Sequence, residues 1–237
     1  MKHYQGERLQ HVEAITESDL LSPRAMTSDG LTIVVAGGSV SRRRPLPEAE
    51  FVIAADSGLD RAEELGLRVD LVVGDFDSVR TETLAAAAAR GVAIERFAAA
   101  KDKTDLELAL DRALDRRSTR VLLLAVEGGR VDHAIANVLL LANDRYAGIE
   151  IDAWTDDATI SVVRGRRQFA WNVGDTVSLL AVGPTARGVK TQGLTYPLND
   201  EVLTLGSSRG VSNVVADDSV VIELDSGVLL VIHTQGM

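Results

Sequence analysis

No cysteine occurs among the 237 residues, so disulfides, thiol nucleophiles and thiolate metal sites are all excluded. Histidine is scarce as well: His3, His11, His133 and His233 are too scattered to give a zinc-ligand spacing. Basic residues are the minority, 25 Lys and Arg against 35 Asp and Glu, for a formal net charge of −10. Such a chain lacks the basic face that general nucleic-acid or anionic-membrane binding requires. A small polyphosphate neutralised by a metal, or a cationic ligand, stays compatible with it. Long apolar runs are missing too, and the start carries no signal-peptide pattern. A soluble cytoplasmic protein is the expectation.

What is present can build a sizeable core, as one large domain or two small ones, because 46% of the residues are hydrophobic. Residues 1–30 are polar and weakly patterned, with Ser22-Pro23 breaking any helix, and read as a mobile extension without chemistry. Strand and helix signals then alternate. Apolar strands are expected at Leu31–Ala36, Phe51–Ala55, Leu71–Val73, Val92–Ile94 and Arg120–Leu124. Helices are expected after Asp56-Ser57-Gly58 and over Thr81–Arg90, Thr104–Arg116 and Val131–Asn143. Near-continuous apolar strands alternating with helices predict a Rossmann-like parallel sheet covered on both faces. From Ile149 onward only short strands at close spacing appear, predicting a C-terminal β-sandwich. The fold expected is therefore α/β plus all-β, an α/β unit over 31–150 joined without a long linker to a β unit over 151–237. The basic run Arg42-Arg43-Arg44 reads as a solvated loop.

In an open parallel sheet, ligands bind outside the carboxyl ends of the strands. The distinctive residues fall at those ends. Asp56 follows the second strand, and Gly74-Asp75-Phe76-Asp77-Ser78 follows the third. Lys101-Asp102-Lys103-Thr104-Asp105 follows the fourth, and Gly128-Gly129-Arg130-Val131-Asp132 the fifth. Alternation along an extended or gently turned backbone would put Asp75 and Asp77 on one side, with Phe76 turned to the core. Carboxylates brought that close repel unless a cation lies between them. An oxygen-only ligand set suits Mg²⁺, which binds one or two carboxylates together with substrate phosphates. Lys101 and Lys103 suit phosphate oxygens. Thr104-Asp105-Leu106-Glu107 also reads as a capping box, which accounts for Thr104 and Glu107 but not for Asp102. Gly128-Gly129 ahead of a helix is a ready anion site, and Arg130 a bidentate phosphate donor. Asp132 fits a cationic ligand better, while His133 and Asn137 share a helical face and read as packing. The glycine pair Gly37-Gly38 reads as a turn, with phosphate approach as the alternative.

In this order the motifs resemble those of the thiamine pyrophosphokinase family. They are Ala55-Asp56-Ser57-Gly58, Gly74-Asp75-Phe76-Asp77-Ser78, Asp102-Lys103-Thr104-Asp105 and Gly128–His133. Gly193-Leu194-Thr195-Tyr196-Pro197-Leu198 and Gly210-Val211-Ser212-Asn213 look like the same family's thiamine-binding end. The resemblance covers about residues 31–233. It implies a homodimer with its active site between the α/β part of one subunit and the β part of the other. It implies transfer of pyrophosphate from ATP to the thiamine hydroxyethyl group, with Mg²⁺ as cofactor. Carried over, Asp75, Asp77 and Asp105 are catalytic acids and metal ligands, supported by Asp56 and Asp102. Lys101, Lys103, Gly128, Gly129 and Arg130 would take the nucleotide. Asp132, Tyr196, Ser212 and Asn213 would take thiamine. Two other readings remain open on the residues alone: a D-x-D nucleotide-sugar transferase, and a catalytically silent thiamine- or nucleotide-binding regulatory relative.

Overall fold

The computed structural model describes residues 30–39, 44–128, 130–183 and 185–235. All of the expected extension except its last residue, Gly30, lies outside the described residues, as do Arg42, Arg43 and Gly129. The first half runs β1 (Leu31–Val35), β2 (Phe51–Ala55), α1 (Gly58–Leu65), β3 (Leu71–Gly74) and α2 (Thr81–Ala89). It continues through β4 (Ala93–Arg96), α3 (Asp105–Asp115), β5 (Arg120–Leu124) and α4 (Val131–Leu141). The strands pair in parallel in the order β5-β1-β2-β3-β4. Their unbroken apolar character has a simple cause, because both faces are covered. On one face, Leu106, Ala109, Leu110 and Ala113 of α3 pack on Val34, Ile53 and Val73. On the other, Leu59 and Ala62 of α1 and Ala87 of α2 pack with Ile33, Val52 and Val72.

The second half comprises β6 (Glu150–Trp154), β7 (Ala158–Val163), β8 (Arg166–Ala170), β9 (Thr176–Ala181) and β10 (Ala186–Gln192). After these come β11 (Glu201–Leu203), β12 (Asn213–Val214), β13 (Ser219–Glu223) and β14 (Leu229–Thr234). Two sheets face each other, β12-β9-β14-β7-β6 and β11-β10-β13-β8. Val177, Leu179 and Val231 of the first close over Val189, Val220 and Ile222 of the second. Inside the sandwich edge, His233 holds Asp175 through a 2.8 Å Nε2–Oδ2 contact and stacks on Trp171.

Three features differ from expectation. Strand β6 does not simply begin a β unit: it pairs in parallel with β5 and antiparallel with β7, so one ten-stranded sheet runs through both halves. The switch in pairing follows from connection length, since the short turn Thr155–Asp157 permits only an antiparallel neighbour. Strands β11 and β12 were not expected, because three and two residues are too short to show a period-two pattern. Arg44 is not a solvated loop residue. Its guanidinium donates to Thr159 Oγ1 at 2.6 Å and lies over the Trp154 ring, bracing the segment before β2 against the second half. Among the described residues no helix is long and apolar enough to cross a membrane.

Candidate active site

The parallel order places the exits of β2, β3 and β5 and the entry to α3 on one rim. Two close backbone approaches shape that rim. Gly38 N–H donates to the Ala125 carbonyl at 2.8 Å. A Cβ on Gly38 would collide with the Glu127 carbonyl oxygen, which explains the glycine without any ligand. The Gly128 turn lies beside it, close enough that a Cβ there would touch Gly38 Cα at 3.3 Å.

The acids of β2 and β3 converge. Oxygens of Asp56, Asp75 and Asp77 all lie within 4.8 Å of one another. The alternation expected of an extended backbone is not what brings Asp75 and Asp77 together. Phe76 takes φ +64, a left-handed conformation costly for a bulky residue, and the chain turns there. The Asp77 N–H then donates to Asp75 Oδ1 at 3.3 Å. Phe76 itself packs toward the core as expected, with Arg96 over its ring and Arg96 Nη1 donating to the Asp75 carbonyl at 2.7 Å. Asp56 is buried, also at positive φ, and its N–H donates to the Val73 carbonyl at 2.8 Å. Ser78 Oγ donates to Asp56 Oδ2, and Asp56 Oδ1 is buried without a hydrogen-bond partner.

Lys101 ties Asp105 to this cluster. Its ammonium lies 3.0 Å from Asp75 Oδ2 and 3.0 Å from Asp105 Oδ1. The first contact is an aligned hydrogen bond and holds the Asp75 carboxyl below its usual range. The second is a close ion pair without hydrogen-bond alignment, so Asp105 Oδ1 is buried and unsatisfied in that sense. Burial pushes the Asp105 carboxyl up; Lys101 pulls it back, and the charges of Asp75 and Asp56 add to the rise. Asp102 is exposed and is not one of the three clustered acids.

Lys103 points along α3 rather than onto the three acids. It contacts Asp111 directly and Glu107 at 3.4 Å. Asp111 also accepts from Arg145 Nε at 2.6 Å and Tyr146 Oη at 3.1 Å. Burial opposes ionisation of Asp111, but these donors together hold its carboxyl low. The capping box is half realised. Thr104 Oγ1 accepts the Glu107 N–H at 3.2 Å, but the Glu107 carboxylate pairs with Lys103.

At the start of α4, Arg130 and Asp132 hold each other, Nη2 to Oδ2 at 2.6 Å and Nε to Oδ1 at 3.2 Å. Arg130 pulls the Asp132 carboxyl down to about 2. Asn137 is turned inward and donates to the Val126 carbonyl at 3.0 Å, while His133 on the same helix is exposed. In the second half, Tyr196 is 64% exposed. The buried Asn213 spends its amide on that segment: Oδ1 accepts from Tyr196 N–H at 3.0 Å and Nδ2 donates to the Tyr196 carbonyl at 2.7 Å. Ser212, at φ +58, donates its N–H to Ser178 Oγ at 3.0 Å.

Sequence reasoning gave no role to Ser78 or Arg96. Neither carries a local signal, because their partners lie 22 and 21 residues away. A second cleft of about 570 Å³ opens beside Leu31, Leu46, Leu122 and Trp154, with Glu150 and Asp152 on its wall. Arg167 already holds both of these acids, at 2.9–3.0 Å.

Both halves of the chain resemble known proteins. The family described as "Thiamin pyrophosphokinase, catalytic domain" matches residues 43–152. The family described as "Thiamin pyrophosphokinase, vitamin B1 binding domain" matches residues 159–229. The chain is 27% identical over 207 residues to the thiamine pyrophosphokinase of Bacillus subtilis (strain 168), covering 85% of this chain and 97% of that one. A crystal structure of thiamine pyrophosphokinase from Bacillus subtilis superposes with a TM-score of 0.75 at 25% identity, covering 87% of this chain and 100% of that one. A thiamin pyrophosphokinase structure from Geobacillus thermodenitrificans gives 0.72 at 28% identity, covering 87% and 98%. With both halves of one enzyme matched in order along the chain, this protein belongs to the thiamine pyrophosphokinase family.

Proposed function

We propose that the chain transfers the pyrophosphoryl group of ATP to the hydroxyethyl oxygen of thiamine, giving thiamine diphosphate and AMP. The observation that carries this reading is the convergence of Asp56, Asp75 and Asp77 at the carboxyl ends of β2 and β3. Three carboxylates within 4.8 Å, one with a buried and unpartnered oxygen, suit a hard divalent cation such as Mg²⁺. Asp56, Asp75 and Asp77 would hold it, with Asp105 and Asp102 as outer support. Bound there, Mg²⁺ supplies charge neutralisation for the phosphate oxygens.

The protein's own residues do the rest by positioning. The thiamine oxygen bonds to the β-phosphorus as the bond from that phosphorus to the oxygen bridging to the α-phosphate breaks. The electron pair leaves with AMP, and the hydroxyl proton passes to a carboxylate of the rim. Of the two acids with opposite displacements, Asp105 is the stronger base, because its carboxyl is raised while that of Asp75 is lowered. Lys101, Lys103, Gly128 and Arg130, joined on the sequence alone by Gly129, would take the nucleotide phosphates. Asp132 offers a negative charge to the thiazolium cation and Tyr196 an aromatic face, presented by the turn that Asn213 holds, with Ser212 beside it in sequence as a further thiamine contact.

The active form is a homodimer with a shared site. Val131, Ile135 and Leu139 support this, forming an exposed apolar stripe on α4 beside Asp132. Tyr196, Val202 and Val211 are exposed apolar surface in the other half.

Incubation with ATP, Mg²⁺ and thiamine tests the reading, with AMP and thiamine diphosphate expected together. ADP with thiamine monophosphate would refute pyrophosphoryl transfer. No product, but thiamine-dependent thermal stabilisation, would mark a silent binding relative. In sedimentation, Ile135→Glu is expected to convert dimer to monomer and to take turnover with it.

A further inference from the structure

Two lysines lie in the loop before α3, and their partners differ in kind. Lys103 is held by Glu107 and Asp111, acids outside the three-carboxylate cluster. Lys101 is held by Asp75, a member of that cluster, and by Asp105. Its side chain is only 15% exposed, so the pair is poorly screened by solvent. The other oxygen of Asp75 accepts the Asp77 N–H, so both Asp75 oxygens are already engaged within the protein.

We propose that Lys101 is a built-in competitor for the divalent ion on Asp75, drawn off by the polyphosphate, so that metal and nucleotide each strengthen the binding of the other. This rests on the metal reading given above. A divalent ion held by Asp56, Asp75 and Asp77 needs an Asp75 oxygen, and an ammonium 3.0 Å from that carboxylate repels it. Lys101 sits on a four-carbon stem in a loop, ahead of the first residue of α3, and can exchange one set of oxygens for another. Phosphate oxygens arriving at the rim supply that second set. Once the ammonium turns to them, Asp75 is open to the metal, and by linkage the metal favours the phosphate equally. Lys101 is thus a positioning residue whose removal should help one ligand while harming the pair.

The test titrates Mn²⁺ alone into the unaltered protein and into Lys101→Met, with Lys101→Gln as a second variant should the first melt abnormally. Expected is Mn²⁺ binding about tenfold tighter in the variant. A second titration adds an ATP analogue with a methylene bridge between the α- and β-phosphates. It should tighten Mn²⁺ binding strongly in the unaltered protein and little in the variant. A lysine that merely held the loop together would lower Mn²⁺ affinity on removal, and equal or weaker binding by both variants overturns the proposal. Failure of the unaltered protein and of both variants to bind Mn²⁺, with the analogue present as well as without it, would overturn the metal reading, and this proposal with it.

Discussion

Ser78 Oγ donates to Asp56 Oδ2, joining the turn after β3 to the exit of β2 across 22 residues of chain. The bond fixes the rotation of a carboxylate whose other oxygen is buried and unpartnered. Groups that orient a metal ligand typically carry a 10–100-fold share of metal affinity. Ser78→Ala is therefore expected to weaken Mn²⁺ binding by about tenfold, while Ser78→Thr keeps it. The direction is opposite to that expected for Lys101→Met, so one titration series separates orientation from competition. Unchanged affinity in Ser78→Ala would show that Asp56 does not depend on this bond.

Asp105 links function to a stability cost. Its carboxyl is raised above 3.8, chiefly by burial, so the ionised form is less favoured in the folded chain than in the unfolded one. The stability tied to its neutral form is complete below 3.8 and is lost as pH rises through the folded value. At about pH 7 the ionised side chain is thus a net burden, and Asp105→Asn is expected to raise the thermal midpoint there. At about pH 3 the carboxyl is protonated in both states and the difference should shrink toward zero. Turnover should fall by about 100-fold or more if Asp105 serves the transition state. A lower midpoint at neutral pH would contradict the sign argued here.

The glycine pair at the end of β1 separates packing from phosphate approach. A Cβ on Gly38 meets backbone, the Glu127 and Ala125 carbonyls, whereas one on Gly37 meets the Ser57 hydroxyl, which can rotate away. Gly38→Ala should therefore destabilise by about 3 kcal/mol, at the upper end for overpacking, and Gly37→Ala by under about 1 kcal/mol. In a domain of this size the first corresponds to a fall of roughly 10 °C in thermal midpoint. Equal effects in chemical denaturation would mean that the backbone approach is not what selects glycine at this position.

Most of the first half was legible because its signals are local. Continuous apolar strands, Gly66 after α1 and Thr104 ahead of α3 each act within a few residues, and the structure has elements at those places. The acids of the rim were legible at one remove, since a parallel sheet collects the carboxyl ends of its strands. The second half was read correctly as short strands in a sandwich, but β11 and β12 carry too few residues to show a period.

The amino-acid sequence by itself determined the strand-helix alternation of the first half and its parallel sheet, the short-strand character of the second half, and the placing of Asp56, Asp75 and Asp77 near one rim. Tertiary structure alone decided which partners those groups have. Lys101 bridges Asp75 and Asp105, Lys103 turns to Asp111, Arg130 closes on Asp132, and Asn213 spends its amide on Tyr196. Chain spacing does not rank such contacts, because several acids lie within reach of each long basic side chain. The choice among them is made by burial and by the turns at Asp56 and Phe76, both at positive φ. The joining of the two halves through β6 was decided in the same way, by a pairing between strands rather than by any residue within them.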